Sequence, residues 1–209
     1  MIPPRHNMKT TQCEGFEKVW YMAYYFRWPT SDYVSRQIMD FKRGDIPPKE
    51  AFSEMAAEEF TLLGHKFDYV TRVLSSKELV ALKGNKVAAI AHSIYEVCNA
   101  HYHPNLVQKN RMTKELKGLN KDQRKAELEG VYEIYQPVDL NHKSVLVVDD
   151  VFTFGTSLEA IAEVLKKENP HVKLYGFAIA HNWRRGQDGI MINETGFIGR
   201  YNKGFSHAA

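Results

Sequence analysis

The stretch 145–157 constrains the fold more than any other part of the chain, and it reads Val-Leu-Val-Val-Asp-Asp-Val-Phe-Thr-Phe-Gly-Thr-Ser. Its four leading aliphatic residues are typical of a strand that is buried on both faces of a parallel sheet. Two carboxylates, Asp149 and Asp150, stand where this strand is expected to end. The segment 158–165 that follows has the apolar spacing of an amphipathic helix. The stretch therefore predicts a strand, a short loop and a helix within an α/β domain.

The loop of this unit has the chemistry of an anion site. A strand, a tight turn and a helix start direct several free backbone N–H groups at one point, where the helix dipole favours negative charge. Gly155 permits a positive φ or a close backbone approach to a ligand. The hydroxyls of Thr153, Thr156 and Ser157 can either cap the helix or donate to phosphate oxygens. Because the two aspartates can accept hydrogen bonds from vicinal hydroxyls, the stretch predicts a sugar-phosphate site.

Two other interpretations account for part of the same pattern. A parallel strand can end in two solvated aspartates without binding anything. An aspartyl-phosphate receiver domain also ends a strand in an aspartate, but that residue normally lies nearer the start of the chain. The hydroxyl-rich loop has no role in a receiver domain, so we favour the sugar-phosphate site.

Length and composition indicate one α/β domain spanning 1–209, with a variable N-terminal segment at 1–30 and an unassigned tail at 181–209. The net charge of +3 is too small to indicate nucleic-acid binding by itself. Cys13 and Cys98 lie far apart and in no metal-ligand spacing, which favours a reducing cytoplasm over a disulfide framework or a zinc cluster. The sequence shows no membrane-length apolar run and no signal-peptide core, so we expect a cytoplasmic protein without membrane contact.

The remainder of the chain alternates between strand-like and helix-like segments. Strands are predicted at 19–28, 67–74, 131–135 and 172–180, and helices at 33–41, 49–63 and 79–99, the last with a later start left open by Gly84. Lys109–Arg124 is markedly basic and lacks a clean apolar face. Two interpretations of this basic stretch stay open, a solvated helix and a phosphate-facing lid.

The 145–157 stretch resembles the motif by which type I phosphoribosyltransferases bind 5-phosphoribosyl 1-diphosphate (PRPP). In that motif two acidic residues precede a Thr/Gly/Ser loop that wraps the ribose 5-phosphate, and Phe154 stands where the family usually has Thr or Ala. The order of elements over roughly residues 30–180 resembles the ComF-type phosphoribosyltransferases, which are linked with bacterial competence and DNA uptake. The segment 67–78 is similar to that family's strand and pyrophosphate loop. Residues fitting its spaced lid pattern are Arg111, Thr113, Leu119 and Arg124, with Leu116 where Gln is usual.

The resemblance implies a type I phosphoribosyltransferase fold, with a central, mostly parallel sheet flanked by helices and a small variable hood. It implies that Asp149 and Asp150 hold the ribose directly or through Mg²⁺, and that Lys109 and Arg111 supply charge from a closing lid. These four residues are the implied catalytic set. The residues implied to bind PRPP are Ser75, Ser76, Lys77, Val151, Phe152, Thr153, Phe154, Gly155, Thr156 and Ser157.

The implied activity is transfer of ribose 5-phosphate from PRPP to a nitrogen acceptor, a nucleobase or an amine, with release of pyrophosphate. Trp183, Arg184 and the aromatic N-terminal segment are the acceptor-site candidates. A non-catalytic protein that senses PRPP or a nucleotide is the first alternative. A competence-type factor associated with single-stranded DNA is the second, since basic residues and exposed aromatics can bind bases by stacking. A homodimer is one option for the assembly.

Overall fold

The structure is a computed structural model and describes residues 7–26 and 33–182. The acceptor candidates Trp183 and Arg184 lie outside the described residues, as does Trp28 at the end of the first predicted strand. The described strands are β1 (Lys9–Thr11), β2 (Lys18–Tyr25), β3 (Tyr69–Arg72), β4 (His101–Tyr102), β5 (Val107–Lys109), β6 (Tyr132–Ile134), β7 (Ser144–Phe152) and β8 (Lys173–Asn182). The described helices are α1 (Tyr33–Arg43), α2 (Ile46–Leu63), α3 (Lys86–Cys98), α4 (Lys121–Leu128) and α5 (Thr156–Glu168).

Six of these strands form one sheet in the order β1-β2-β8-β7-β3-β4. β1 pairs antiparallel with β2, and the other four pairings of the sheet are parallel. β5 and β6 form a separate antiparallel ladder. The predicted fold class, a mostly parallel sheet flanked by helices, is confirmed.

The four aliphatic residues of β7 divide between two hydrophobic layers. Leu146 and Val148 pack into the layer formed with α1, α2 and α3. Val145 and Val147 pack into the opposite layer, which contains α5, α4 and the β5–β6 ladder. Since successive strand side chains point to opposite faces, only a strand covered on both sides needs four apolar residues in a row.

Two element boundaries differ from the simplest prediction. α3 begins at Lys86, the later start that Gly84 had left open, because Gly84 adopts a φ of +80° and the Asn85 side chain caps the helix by accepting from the Val87 amide. β7 continues to Phe152, two residues beyond the aspartates, because β8 runs alongside it and pairs His181 with Phe152.

The basic stretch 109–124 is not one solvated helix. Lys109 ends β5, residues 110–120 are irregular, and α4 starts only at Lys121. Asn120 and Gln123 form a reciprocal capping box at this start, which explains why the helix begins there. In the part of the chain that the structure describes, none of the helices combines the length and the apolar composition that a bilayer crossing requires.

Candidate functional site

Asp149 and Asp150 lie at the carboxyl end of β7, the central strand of the site. By strand alternation, Asp149 faces the α5 side of the sheet and Asp150 faces the α1 and α3 side. Each carboxylate accepts a hydrogen bond from the next backbone amide, Asp149 from Asp150 at 2.8 Å and Asp150 from Val151 at 2.6 Å. The two side chains are therefore held in defined directions at the edge where open α/β sheets bind ligands.

The two carboxylates differ in their electrostatic surroundings. Burial and the neighbouring Asp150 charge raise the pKa of Asp149 well above its usual range, against the opposing charges of Lys42 and Lys109. Asp150 instead has a direct cation partner, since Lys42 Nζ lies 3.3 Å from its Oδ2. A positive charge added to those of Lys42 and Lys109, and close to both carboxylates, would thus stabilise the ionised form of Asp149.

The donor chemistry of this pair fits Mg²⁺. Mg²⁺ prefers carboxylate oxygens and is usually held by one or two carboxylates together with substrate phosphates and water. No group of three or more His, Cys, Asp or Glu side chains suited to a metal occurs within residues 7–26 and 33–182. Asp149 and Asp150 would therefore hold the ion only jointly with oxygens of a bound substrate.

The loop after β7 leads into α5 through a glycine that no other residue can replace without strain. Gly155 is the N-cap of α5 and has a φ of +76°. A Cβ atom at this position would lie 2.8 Å from Cys13 Sγ and 3.1 Å from the Phe152 ring. Among the described residues no side chain caps this helix, so Thr153, Thr156 and Ser157 do not take the capping role considered for them. The first amides of α5 thus lack an intrahelical partner and a side-chain cap, which is the geometry of an anion site.

The predicted loop residues differ in their exposure. Val151, Phe152, Gly155 and Thr156 are buried, whereas Thr153, Phe154 and Ser157 are partly exposed. Phe154, the departure from the family pattern, packs under the basic stretch, with the Arg124 guanidinium 5.1 Å from its ring centroid. Its ring therefore joins the loop to the start of α4.

The loop that follows β3 is organised by a residue that the sequence reasoning missed, Glu78. Its buried carboxylate accepts hydrogen bonds from both terminal nitrogens of Arg72, at 3.0 and 2.6 Å, and from the Ser75 amide at 2.7 Å. The Leu82 amide and the Asn85 side chain donate to the same carboxylate at 3.0 and 2.9 Å. Burial alone would raise the pKa of Glu78, but the Arg72 and backbone hydrogen bonds outweigh it and lower the pKa to about 2. The charged Arg72 within the predicted strand 67–74, directly before the apolar Val73 and Leu74, was the available signal for such a pair.

Because Glu78 anchors the loop, residues 75–77 project towards solvent at the same sheet edge as Asp149 and Asp150. β3 pairs with β7 up to Arg72 and Val148, so its loop leaves the sheet next to the part of β7 that carries the aspartates. Ser75 and Lys77 are exposed and Ser76 is partly exposed. The loop's carbonyls bind the protein instead, since Ser75 O accepts from Lys109 Nζ at 2.8 Å and Ser76 O accepts from the Thr113 amide at 3.1 Å.

Lys109 is buried behind this loop. Its ammonium also lies 5.5 Å from the centroid of the Tyr132 ring. Burial lowers the pKa of Lys109 to about 8, although the charges of Glu78 and Asp149 act in the opposite direction. The structure thus places Lys109 where it supports the 75–77 loop and acts electrostatically on Asp149.

Arg111 occupies a different position, on the irregular segment 110–120. It donates to the Glu127 carboxylate at 2.9 Å and to the Glu127 carbonyl at 2.8 Å, and the Lys114 amide donates to the same carboxylate at 2.9 Å. Glu127 therefore ties the basic segment to α4, and Arg111 is engaged away from the aspartates.

Comparison with known proteins gave matches among solved structures only. No family model matches the chain, and no curated protein matches it. A hypoxanthine phosphoribosyltransferase from Staphylococcus aureus is 16% identical, with 68% of this chain and 70% of that chain covered and a TM-score of 0.41. An adenine phosphoribosyltransferase from Trypanosoma brucei, in complex with AMP, pyrophosphate and ribose-5-phosphate, is 9% identical, with 89% and 96% covered and a TM-score of 0.42. A Helicobacter pylori xanthine-guanine-hypoxanthine phosphoribosyltransferase is 14% identical, with 78% and 88% covered and a TM-score of 0.37.

Proposed function

We propose that this protein binds PRPP with Mg²⁺ and transfers its ribose 5-phosphate group to a nitrogen acceptor, a nucleobase or an amine, with release of pyrophosphate. One observation carries the proposal: two adjacent carboxylates at the end of β7 lead directly into the left-handed Gly155 and the uncapped start of α5. A ribose and a phosphate joined by one carbon atom require such neighbouring acceptor and donor groups.

The 5-phosphate binds at the start of α5 in this proposal. The first-turn amides supply fixed donors, and the hydroxyls of Thr153 and Ser157 lie on the same partly exposed loop. The helix dipole adds a favourable interaction with the dianion. Val151, Phe152, Phe154 and the buried Thr156 contribute through the backbone, which is why Phe154 is compatible with the function.

Asp149 and Asp150 bind the ribose hydroxyls directly or would hold Mg²⁺ beside them. The ion would supply positive charge that neutralises the pyrophosphate. A ligand can approach Asp150 directly, because its ion-pair partner Lys42 is partly exposed and can move aside. Asp149 lies on the opposite side of the strand, towards Lys109.

Ser75, Ser76 and Lys77 contact the pyrophosphate. The buried Arg72–Glu78 pair and Lys109 hold this loop in place, so its amides and hydroxyls are oriented before the substrate arrives. Arg111 reaches the pyrophosphate when segment 110–120 closes, which requires that it leave Glu127. Closure excludes water from the reacting centre.

In the transfer step the bond between C1 of the ribose and the pyrophosphate oxygen breaks, and the bonding electrons leave with the pyrophosphate. The sugar becomes oxocarbenium-like, and the carboxylates stabilise its positive charge. A nitrogen lone pair of the acceptor then forms the new bond to C1, and a proton carried by that acceptor is lost to the departing pyrophosphate or to solvent. Membership of the ComF-type subfamily and a cytoplasmic location are part of the same proposal, and they rest on the sequence motifs and the cysteine usage.

Calorimetric titration of PRPP with Mg²⁺ tests the site. We expect binding to the wild type and its loss in the double variant Asp149→Asn, Asp150→Asn. Asp45→Asn is the matched control, because Asp45 is an exposed N-cap residue of α2 whose side chain makes no cap hydrogen bond. Unchanged affinity in the double variant would contradict the assignment, and pyrophosphate release with a panel of nucleobases then tests the reaction.

A second candidate function is a non-catalytic sensor of PRPP or a nucleotide. The tethering of Arg111 and Lys114 by Glu127 favours it, because a segment held in this way leaves the site open. PRPP binding without pyrophosphate release for any nucleobase or amine in the panel would support the sensor over the transferase.

A further inference from the structure

Two lysines from different helices converge beside Asp150. Lys42, in the last turn of α1, places its Nζ 3.3 Å from Asp150 Oδ2. Lys86, the first residue of α3, donates its Nζ to the backbone carbonyl of Lys42 and lies 5.9 Å from the centroid of the Phe41 ring. The ammonium groups thus share one corner between the two helices and the end of β7.

This corner carries more positive than negative charge among the residues that the structure describes. It contains two ammonium groups and one carboxylate in direct contact with them, that of Asp150. Arg43 is paired with Asp40, and Asp149 interacts with the Lys42 charge from the opposite face of β7. Lys86 therefore makes no ion pair of its own with a carboxylate of the described residues.

The surplus charge is partly shielded from water. The Lys42 side chain is 34% exposed and Lys86 is half-buried. A cation withdrawn from water without a counterion is unfavourable, and an anion placed beside it removes that cost. Lysine ammonium groups are also effective point-charge donors to phosphoryl and carboxylate oxygens.

We propose that Lys42 and Lys86 form an anion subsite on the α1 and α3 side of Asp150, which receives a phosphoryl or carboxylate group of a substrate. The inference rests on the proposed function and deepens it, since Asp150 is there the ribose-binding carboxylate. The anion has two sources with the same chemistry, the pyrophosphate of the donor or an acidic group on the acceptor. In either case Lys42 exchanges part of its contact with Asp150 for the incoming anion.

The first arm of the test uses inorganic pyrophosphate and ribose 5-phosphate as separate probes, titrated by calorimetry in the presence of Mg²⁺. Lys42→Met and Lys86→Met remove the charge and keep most of the aliphatic stem. We expect each to weaken pyrophosphate binding by about 10-fold, and Lys86→Met to leave ribose 5-phosphate binding unchanged, because only Lys42 is ion-paired with Asp150. Arg43→Met is the matched control on the same helical turn, because Arg43 is exposed and already paired, and it should change neither affinity.

The second arm uses acidic and neutral versions of the same ring, pyridine-3-carboxylate against pyridine-3-carboxamide and uracil-6-carboxylate against uracil. Suppose that Lys42→Met leaves pyrophosphate binding unaffected but weakens the binding of the acidic ring and not of its neutral counterpart. The anion that the lysines bind then belongs to the acceptor. Lys42→Arg keeps the charge and should retain most of the affinity, which separates a charge effect from a folding defect.

The outcomes distinguish this inference from the proposed function. Wild-type protein that binds no ribose 5-phosphate contradicts the proposed function, whatever the lysine variants do. Wild-type protein that binds ribose 5-phosphate, with pyrophosphate and acidic rings either unbound or unaffected by both methionine variants, overturns the subsite. The lysines would then serve only to hold Asp150 and the end of α1.

Discussion

The guanidinium of Arg72 and the carboxylate of Glu78 form a bidentate ion pair with N–O distances of 3.0 and 2.6 Å, and both side chains are buried. The pair joins the end of β3 to the loop that carries Ser75, Ser76 and Lys77. Because the Ser75 and Leu82 amides donate to the same carboxylate, the shape of the whole loop depends on Glu78.

Glu78→Ala should strongly destabilise the protein. The change leaves the Arg72 guanidinium buried without its counterion, and removing one partner of a buried ion pair typically costs about 3–5 kcal/mol. Urea unfolding followed by circular dichroism measures this difference. Glu163→Ala, at an exposed position on α5, is the control and should alter the free energy of unfolding by less than about 0.5 kcal/mol. A loss of similar size in both variants would contradict the structural role of the pair.

Glu78 should also make the free energy of unfolding sensitive to acid. In the unfolded chain the pKa of Glu78 is the ordinary glutamate value of 4.5, whereas the folded protein lowers it to about 2. Between these values the unfolded state binds more protons, so the free energy of unfolding falls as the pH falls. The contribution is fully present above about pH 4.5 and is lost towards pH 2. Urea unfolding at a series of pH values should show a shallower decline for Glu78→Gln than for the wild type over this window.

Gly155→Ala should reduce both stability and phosphate binding. The substitution places a Cβ at a φ of +76° and 2.8 Å from Cys13 Sγ. Gly64→Ala is the matched control, because Gly64 has a φ of +64° with no atom close to the added Cβ. Both variants should lose about 1–2 kcal/mol from backbone strain, and Gly155→Ala should lose more. Only Gly155→Ala should weaken ribose 5-phosphate binding in calorimetry.

Adding Cys13→Ala to Gly155→Ala separates the steric part of this effect. The double variant should recover some of the stability, because the closest contact has been removed, but not the strain of the positive φ. If Gly155→Ala and Gly64→Ala were equally stable and bound ribose 5-phosphate equally well, the close packing under the loop would have no functional consequence.

The contact between Arg124 and Phe154 should be measurable as a coupling energy. A double-mutant cycle with Phe154→Ala and Arg124→Met is expected to give about 0.5–1 kcal/mol, the usual size of a cation–π interaction near a surface. Hydrogen exchange at residues 119–124 should also be faster in Phe154→Ala, because the Arg124 side chain, which donates to the Leu119 carbonyl, loses its packing partner. A coupling indistinguishable from zero would mean that the loop and α4 are independent.

Local sequence patterns were sufficient for the centre of the fold. The aliphatic run 145–148 predicted a strand buried on both faces, and β7 is packed on both sides as expected. Gly155 was predicted to permit a positive φ, and its φ is +76°. Such features depend on residues close together in the chain, since side-chain alternation, helix starts and left-handed glycines are local properties.

The partners of the charged residues were decided only by the tertiary structure. Lys42 meets Asp150, Arg124 covers Phe154, and Arg72 is buried with Glu78, although nothing in their local sequence specifies these pairings. The basic stretch 109–124 is a second example. Its local sequence was compatible with either a helix or a lid, and its path from β5 to α4 depends on contacts with Ser76 and Glu127. The physical reason is that a charge is solvated or buried according to what the fold brings against it, and that depends on the whole chain.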